Sequence, residues 1–175
     1  GLYAAHASPV TKLMAQEGIR ALAAGLPHIH ADPADLDARS DALYGAWLCG
    51  AVLAHGGMAL HHKLCHTLGG RFNLPHAQTH TVMLPQVLAF NSPSAREAME
   101  RMALALGAGD GAKGLKGEEG VEGEKGADAV PARIWDLAHR QGAPTSLRAL
   151  GLNETDLDAA ADAAVETPYW NPRPV

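Results

Sequence analysis

Two cysteines, Cys49 and Cys65, are all that the 175 residues contain, and neither stands in a CxxC or other paired spacing. That excludes a disulfide framework and a structural zinc held by paired thiolates. Aromatic residues make up 5% of the chain, and basic charge is also short, with 14 Lys and Arg against 19 Asp and Glu and a net charge of −5. A phosphate-backbone partner needs a basic footprint that this balance does not supply, so no nucleic acid is expected. There is no run of about 18 uninterrupted apolar residues to cross a bilayer. The opening Gly-Leu-Tyr-Ala-Ala-His also lacks the charged start and apolar stretch of a signal peptide. These absences predict a soluble, cytoplasmic chain with no membrane partner. Position 1 is glycine, which reads equally as a processed or fragmentary start or as a tag scar. No stretch shows the two-residue alternation of a half-buried strand, so the predicted fold class is all-α.

What is present reads as helix. The chain is 47% hydrophobic, which suits one helical domain over 1–175 built round one core. Ser8-Pro9 opens a helix carrying Val10, Leu13, Met14, Ile19 and Leu22 at three-to-four spacing, expected to stop near Gly25-Leu26-Pro27. After the turn Ala31 to Asp35, a long helix is expected from Leu36 to Leu64 or beyond, apolar on most faces from Ala46 to Leu60 and ended by Gly69-Gly70. Arg71 to His80 reads as a loop with helix resuming near Thr81, and Pro85 as a first-turn or kink residue. Further helices are expected at Ala95 to Leu106, Val130 to Gln141 and Glu154 to Glu166, the last capped by Asn153. Gly111, Gly114, Gly117, Gly120, Gly123 and Gly126 recur every third residue. Without proline that run cannot hold a triple helix, so 107–128 reads as a flexible, solvated insert.

Of ten histidines, His61, His62, His66, His76 and His80 crowd into one short stretch. A lone histidine on such a helix reads as a hydrogen-bonded structural side chain. Several titratable groups beside an almost wholly apolar helix are costly unless paired, and functional sites are where such a cost is tolerated. His62 and His66 stand four apart and leave one helix face a turn apart, a spacing by which imidazoles share a metal or a substrate. Lys63 borders that face, and Pro75 fixes the backbone just before His76. Lys63-Leu64-Cys65 fills the gap where HExxH needs glutamate, which disfavours a metalloprotease.

The stretch His62-Lys63-Leu64-Cys65-His66-Thr67-Leu68-Gly69-Gly70, followed by Leu74-Pro75-His76, Met83-Leu84-Pro85 and Phe90-Asn91, resembles the signature of the iron-containing alcohol dehydrogenase superfamily. With HHKLCHTLGG, LPHAQTHTVMLP and the later PYWNPRP, it is most similar to the maleylacetate reductase branch. The resemblance implies a helical bundle like the C-terminal domain of that family and of the dehydroquinate synthase-like fold. It also implies metal ligation at His62 and His76, with His66 beside the nicotinamide and the substrate. Gln86 departs from the pattern, standing where histidine commonly follows Leu-Pro. The family's other two metal positions and its dinucleotide-binding half are expected to lie before Gly1, and its last helix beyond Val175.

The implied reaction passes hydride from NAD(P)H to the carbon–carbon double bond of maleylacetate, giving 3-oxoadipate in aromatic-compound catabolism. His62, His66 and His76 are the catalytic candidates facing the developing enolate oxygen. Lys63, Arg71 and His80 are the candidate partners for the dicarboxylate substrate. Fe2+ or Zn2+ is left open: the branch is described as working without added iron, Lys63 would repel a cation, and two imidazoles leave an ion mostly hydrated. The expected partners are the dicarboxylate and the missing N-terminal dinucleotide-binding domain, with a homodimer left open. The chain alone is expected to be inactive. Two alternatives stand beside this reading, an iron-dependent alcohol dehydrogenase domain and a non-catalytic histidine-rich metal-binding module.

Overall fold

A computed structural model describes residues 1–107, 126–166 and 169–175, which form seven α-helices with short 3-10 turns and no strand among the described residues. The centre of the predicted glycine-triplet insert lies outside the described residues. Its last residues do not: Gly126–Ala129 is a 3-10 turn, and Ala127 is buried in the core.

Helix α1 (Pro9–Ala31) starts as its sequence predicts. The Ser8 hydroxyl accepts from the Thr11 amide at 3.2 Å, and the Thr11 hydroxyl accepts from the Ser8 amide at 2.8 Å, with Pro9 in the first turn. It does not stop at Gly25 but runs through Pro27 to a cap where the Asp32 amide donates to the His28 carbonyl. Gly25 serves another purpose. A Cβ there would lie 2.8 Å from the Ala38 carbonyl oxygen of α2 (Leu36–Gly56), and one at Gly45 would lie 2.9 Å from the Gly18 carbonyl oxygen. These glycines let α1 and α2 pack backbone to backbone.

The long helix expected to reach Leu64 is two helices. Gly57 adopts φ of +75°, a conformation glycine enters without strain, and α3 (Leu60–Phe72) leaves at 98° to α2. Nor is α2 buried all round. Ala38, Gly45, Leu48, Val52 and Gly56 form its buried stripe, while Leu43, Tyr44, Trp47 and Leu53 are exposed. Gly69-Gly70 stays helical, and α3 ends at Asn73 in the left-handed region, with φ of 53° and its amide on the Leu68 carbonyl. Asparagine tolerates that conformation well enough to take glycine's capping role.

Helix α4 (His76–Asn91) begins five residues ahead of the expected start near Thr81. Pro75 is its N-cap, and the Thr79 hydroxyl, wholly buried, donates to the Pro75 carbonyl at 2.7 Å. Pro85 therefore sits inside the helix rather than in its first turn. Helices α5 (Arg96–Ala105) and α6 (Val130–Arg140) match expectation closely. Before α7 (Leu157–Val165) the chain first makes a 3-10 turn at Glu154–Asp156, and Asn153 makes no side-chain cap.

One core cluster draws Leu2, Val52, Leu88, Met99, Met102 and Val130 together from α2, α4, α5, α6 and the entry segment. A second joins Leu68 and Leu74 to Leu152 and Ala160, fastening α3 to α7. No single described helix is long and apolar enough to cross a membrane.

Because a Gly45 Cβ would also meet the Leu22 amide nitrogen at 3.0 Å, whereas one at Gly50 meets nothing within 4 Å, the two alanine substitutions should have opposite signs. Gly45→Ala is expected to cost about 1–3 kcal/mol through overpacking. Gly50→Ala should stabilise by up to about 1 kcal/mol through helix propensity. Urea unfolding of both variants checks this; equal effects would remove the close-packing account of α1 and α2.

Candidate functional site: a histidine cluster where α3 crosses α4

The 98° turn lays the first two turns of α3 across the first two turns of α4, and the histidines fall at this crossing. His61, His62 and His66 come from α3, and His76 and His80 from α4. Ring centroids lie 5.2 Å apart for His61–His62, 4.9 Å for His61–His80 and 5.0 Å for His62–His80. The row continues outward, with His62–His66 at 6.1 Å, His66–His76 at 6.0 Å and His76–His80 at 4.2 Å. The structure thus brings His62, His66 and His76 into one neighbourhood. His61, His62 and His80 are half-buried, while His66 and His76 are exposed at its open edge.

Burial dominates the electrostatics. It holds the His62 imidazole down at about 4, helped by the neighbouring rings of His61 and His66. His80 also falls to about 4, through burial and then His76 and His62. His61 is lowered by burial too, partly offset by the contact of its Nε2 with the His80 carbonyl at 3.1 Å. An imidazolium in such a place loses water and meets other rings, so His62 and His80 are neutral at pH 7. On one side His62 borders an apolar cleft of about 400 Å³ lined by Leu2, Ile19, Leu53, Leu84, Leu88 and Ile134.

The three candidate substrate partners separate. His80 is inside the cluster. Lys63 holds its ammonium 5.9 Å from the centroid of the Tyr169 ring. Arg71 stands further along α3, exposed and paired with Glu166 at 3.7 Å, outside the histidine cluster.

Sequence reasoning missed the parts that hold the tail here. Asn91 is wholly buried, and its amide exchanges bonds with Asn171 at 3.1 and 2.8 Å. Arg173 lies over the Phe90 ring and donates to the Phe90 carbonyl at 2.8 Å. This clamp carries Tyr169 to Lys63, and burial pushes the Tyr169 phenol up. The Phe90-Asn91 pair was visible in the sequence, but its partner lies 80 residues away.

A divalent ion suits the donor chemistry of the crossing. His80 Nε2 is buried without a hydrogen-bond partner among the described residues, and such an orphaned ring nitrogen is the kind of group a metal satisfies.

A helical domain with a histidine-lined crossing at its edge is the architecture of the C-terminal half of the iron-containing alcohol dehydrogenase fold. The chain belongs to the Fe-containing alcohol dehydrogenase family, whose C-terminal model matches residues 1–175. A maleylacetate reductase of Burkholderia cepacia is 55% identical over 174 residues, covering 99% of this chain and 44% of the relative. The crystal structure of maleylacetate reductase from Rhizobium sp. strain MTP-10005 superposes with a TM-score of 0.85 at 44% identity, covering 99% of this chain and 44% of that one. The iron-containing alcohol dehydrogenase of Corynebacterium glutamicum gives 0.83 at 41% identity, with the same coverage. The chain therefore spans less than half the length of the proteins it matches.

The shifts set a pH dependence. Unfolded His62 and His80 take up protons as pH falls through 6.5, whereas the folded groups wait until about 4. Stability from these two groups is therefore fully present above pH 6.5 and is lost as pH falls toward 4. The urea midpoint should be lower at pH 5 than at pH 7.5, with a smaller difference in the His62→Gln/His80→Gln double variant. An unchanged difference in that variant would contradict the assigned burial.

Proposed function

We propose that this chain is the helical part of an NAD(P)H-dependent maleylacetate reductase, acting within a longer protein as a single helical domain in the cytoplasm. The observation that carries the reading is the row His62, His66 and His76, in one neighbourhood with its last two members exposed at the edge. High identity to maleylacetate reductases across nearly the whole chain supports the substrate class. The described residues contain no strand–turn–helix cradle for a dinucleotide. Bound nicotinamide would supply the hydride, and the cradle for the rest of the dinucleotide is assigned to the part of the protein outside this chain.

The residues here answer what the substrate demands. Reduction of an enone sends an electron pair onto the ketone oxygen, and a proton then returns at the carbon beside it. His66, exposed and stacked at 22° to His76, is the candidate beside the nicotinamide and the donor to that oxygen. His62 is neutral at pH 7 and so acts as a hydrogen-bond donor, not as the imidazolium that the reaction alone would suggest. Lys63 and His80 are proposed to receive the substrate carboxylates. Arg71 fills that role only by exchanging Glu166 for substrate. Where a metal is used, His62 and His76 are the ligands the family resemblance nominates.

This chain alone should show no reductase turnover. Joined to the part of the Burkholderia cepacia enzyme that it does not cover, it should reduce maleylacetate. His66→Ala in that chimera should lower kcat/KM by about 100-fold or more. Steady-state assays decide the matter: turnover by the isolated chain, or near-normal kinetics in the variant, would remove the assignment.

A further inference from the structure

We infer that the outer face of α2 is an interface on which the same helix of a second copy of this chain packs antiparallel. This inference does not rest on the reductase reading. Leu36, Ser40, Leu43, Trp47, Gly50 and Ala54 fall in one stripe along α2, spaced alternately four and three residues apart. That is the spacing of the narrow seam along which two helices pack side by side, not of the wider face a helix turns toward its own core. All six positions are exposed, Leu36 at 77%, Leu43 at 72% and Trp47 at 64%.

The core face of α2 lies on the opposite side. It is made by Ala38, Gly45, Leu48, Val52 and Gly56, and Gly45 there meets the backbone of α1. Scattered exposure of single apolar side chains is the competing explanation, and it is common in folded proteins. Scatter does not account for a stripe that runs from Leu36 to Ala54 without a charge. Nor does it account for Tyr44 and Trp47, whose rings stack with centroids 6.4 Å apart while both stay exposed. Large aromatic side chains of this kind are what interfaces bury at their centre.

The occupant follows from symmetry and charge. Each stripe position has a counterpart equally far along the helix on the other side of Gly45. A two-fold axis at that level therefore sets Leu36 on the partner's Ala54, Ser40 on the partner's Gly50 and Leu43 on the partner's Trp47. The small Ser40 and Gly50 pair lets the two helix axes approach to about 8 Å. Charge then fixes the direction. Asp37, Arg39 and Asp41 stand in the first two turns of α2, and no Asp, Glu, Lys or Arg follows before Gly56. Antiparallel pairing lays these charges against the partner's uncharged half and aligns opposite ends of the helix dipoles. Parallel pairing would set each aspartate beside its own copy.

Sedimentation velocity at about 100 µM is run on the 175-residue chain and on its chimera with the part of the Burkholderia cepacia enzyme that it does not cover. Both should be dimers. Leu43→Glu/Trp47→Glu changes only exposed side chains, so helical content should hold while association weakens by about 100-fold or more. In a Cys49→Ala background, Ser40→Cys/Gly50→Cys should form disulfides between copies on mild oxidation. Ser40→Cys alone should not, because its two copies stand about 15 Å apart along the paired axes. A monomeric chain would overturn the proposal, and so would a dimer that Leu43→Glu/Trp47→Glu leaves intact. A monomeric chimera would overturn it by showing that the rest of the longer protein covers the stripe. Crosslinking of Ser40→Cys alone would do so by showing parallel pairing.

Discussion

Where α2 gives way to α3, the backbone turns through 98° across Gly57, and nearly everything about the histidine cluster follows from that turn. A continuous helix would carry His61, His62 and His66 onward along the axis of α2, away from α4. With the turn in place, α3 crosses α4, and five imidazoles separated by up to nineteen positions share one neighbourhood. The turn is affordable because α2 is already anchored by its glycine contacts with α1, and because α3 gains its own hold on α7 through Leu68 and Leu74.

Crowding the rings carries a cost that fixes their chemistry. Each imidazole taken from water is harder to protonate, and each neighbour that could carry charge adds to the difficulty. His62 and His80 are consequently neutral donors or acceptors under ordinary conditions, a state suited to ligating metal or to polarising an oxygen. The cation nearest these rings in sequence, Lys63, holds its ammonium 5.9 Å from the centroid of the Tyr169 ring. The Asn91–Asn171 exchange holds the tail in this arrangement: a wholly buried amide and a half-buried one satisfy each other and pin Tyr169 against Lys63.

Helix existence was legible from apolar spacing, and so was the concentration of chemistry between His61 and His80. Helix ends were harder to read, for one recurring reason. Glycine stops a helix when it takes a positive φ, and it admits a neighbouring backbone when it stays helical. Gly25 does the second and Gly57 the first, yet a single sequence writes both with one letter. Asn73 and Pro75 similarly took over capping and starting duties that had been expected of Gly70 and Thr81.

By itself the sequence determined the all-α class, the family resemblance and the concentration of histidines between positions 61 and 80, because these rest on residue type and short spacing. It nominated His62, His66 and His76 as a set, and they do lie near one another. Tertiary structure alone decided that His61 and His80 complete a triangle with His62, that Arg71 faces Glu166, and that Asn171 reaches Asn91. Each of those contacts depends on the angle between two helices or the path of a returning tail. Such geometry is set by packing across the core, and no local spacing encodes it.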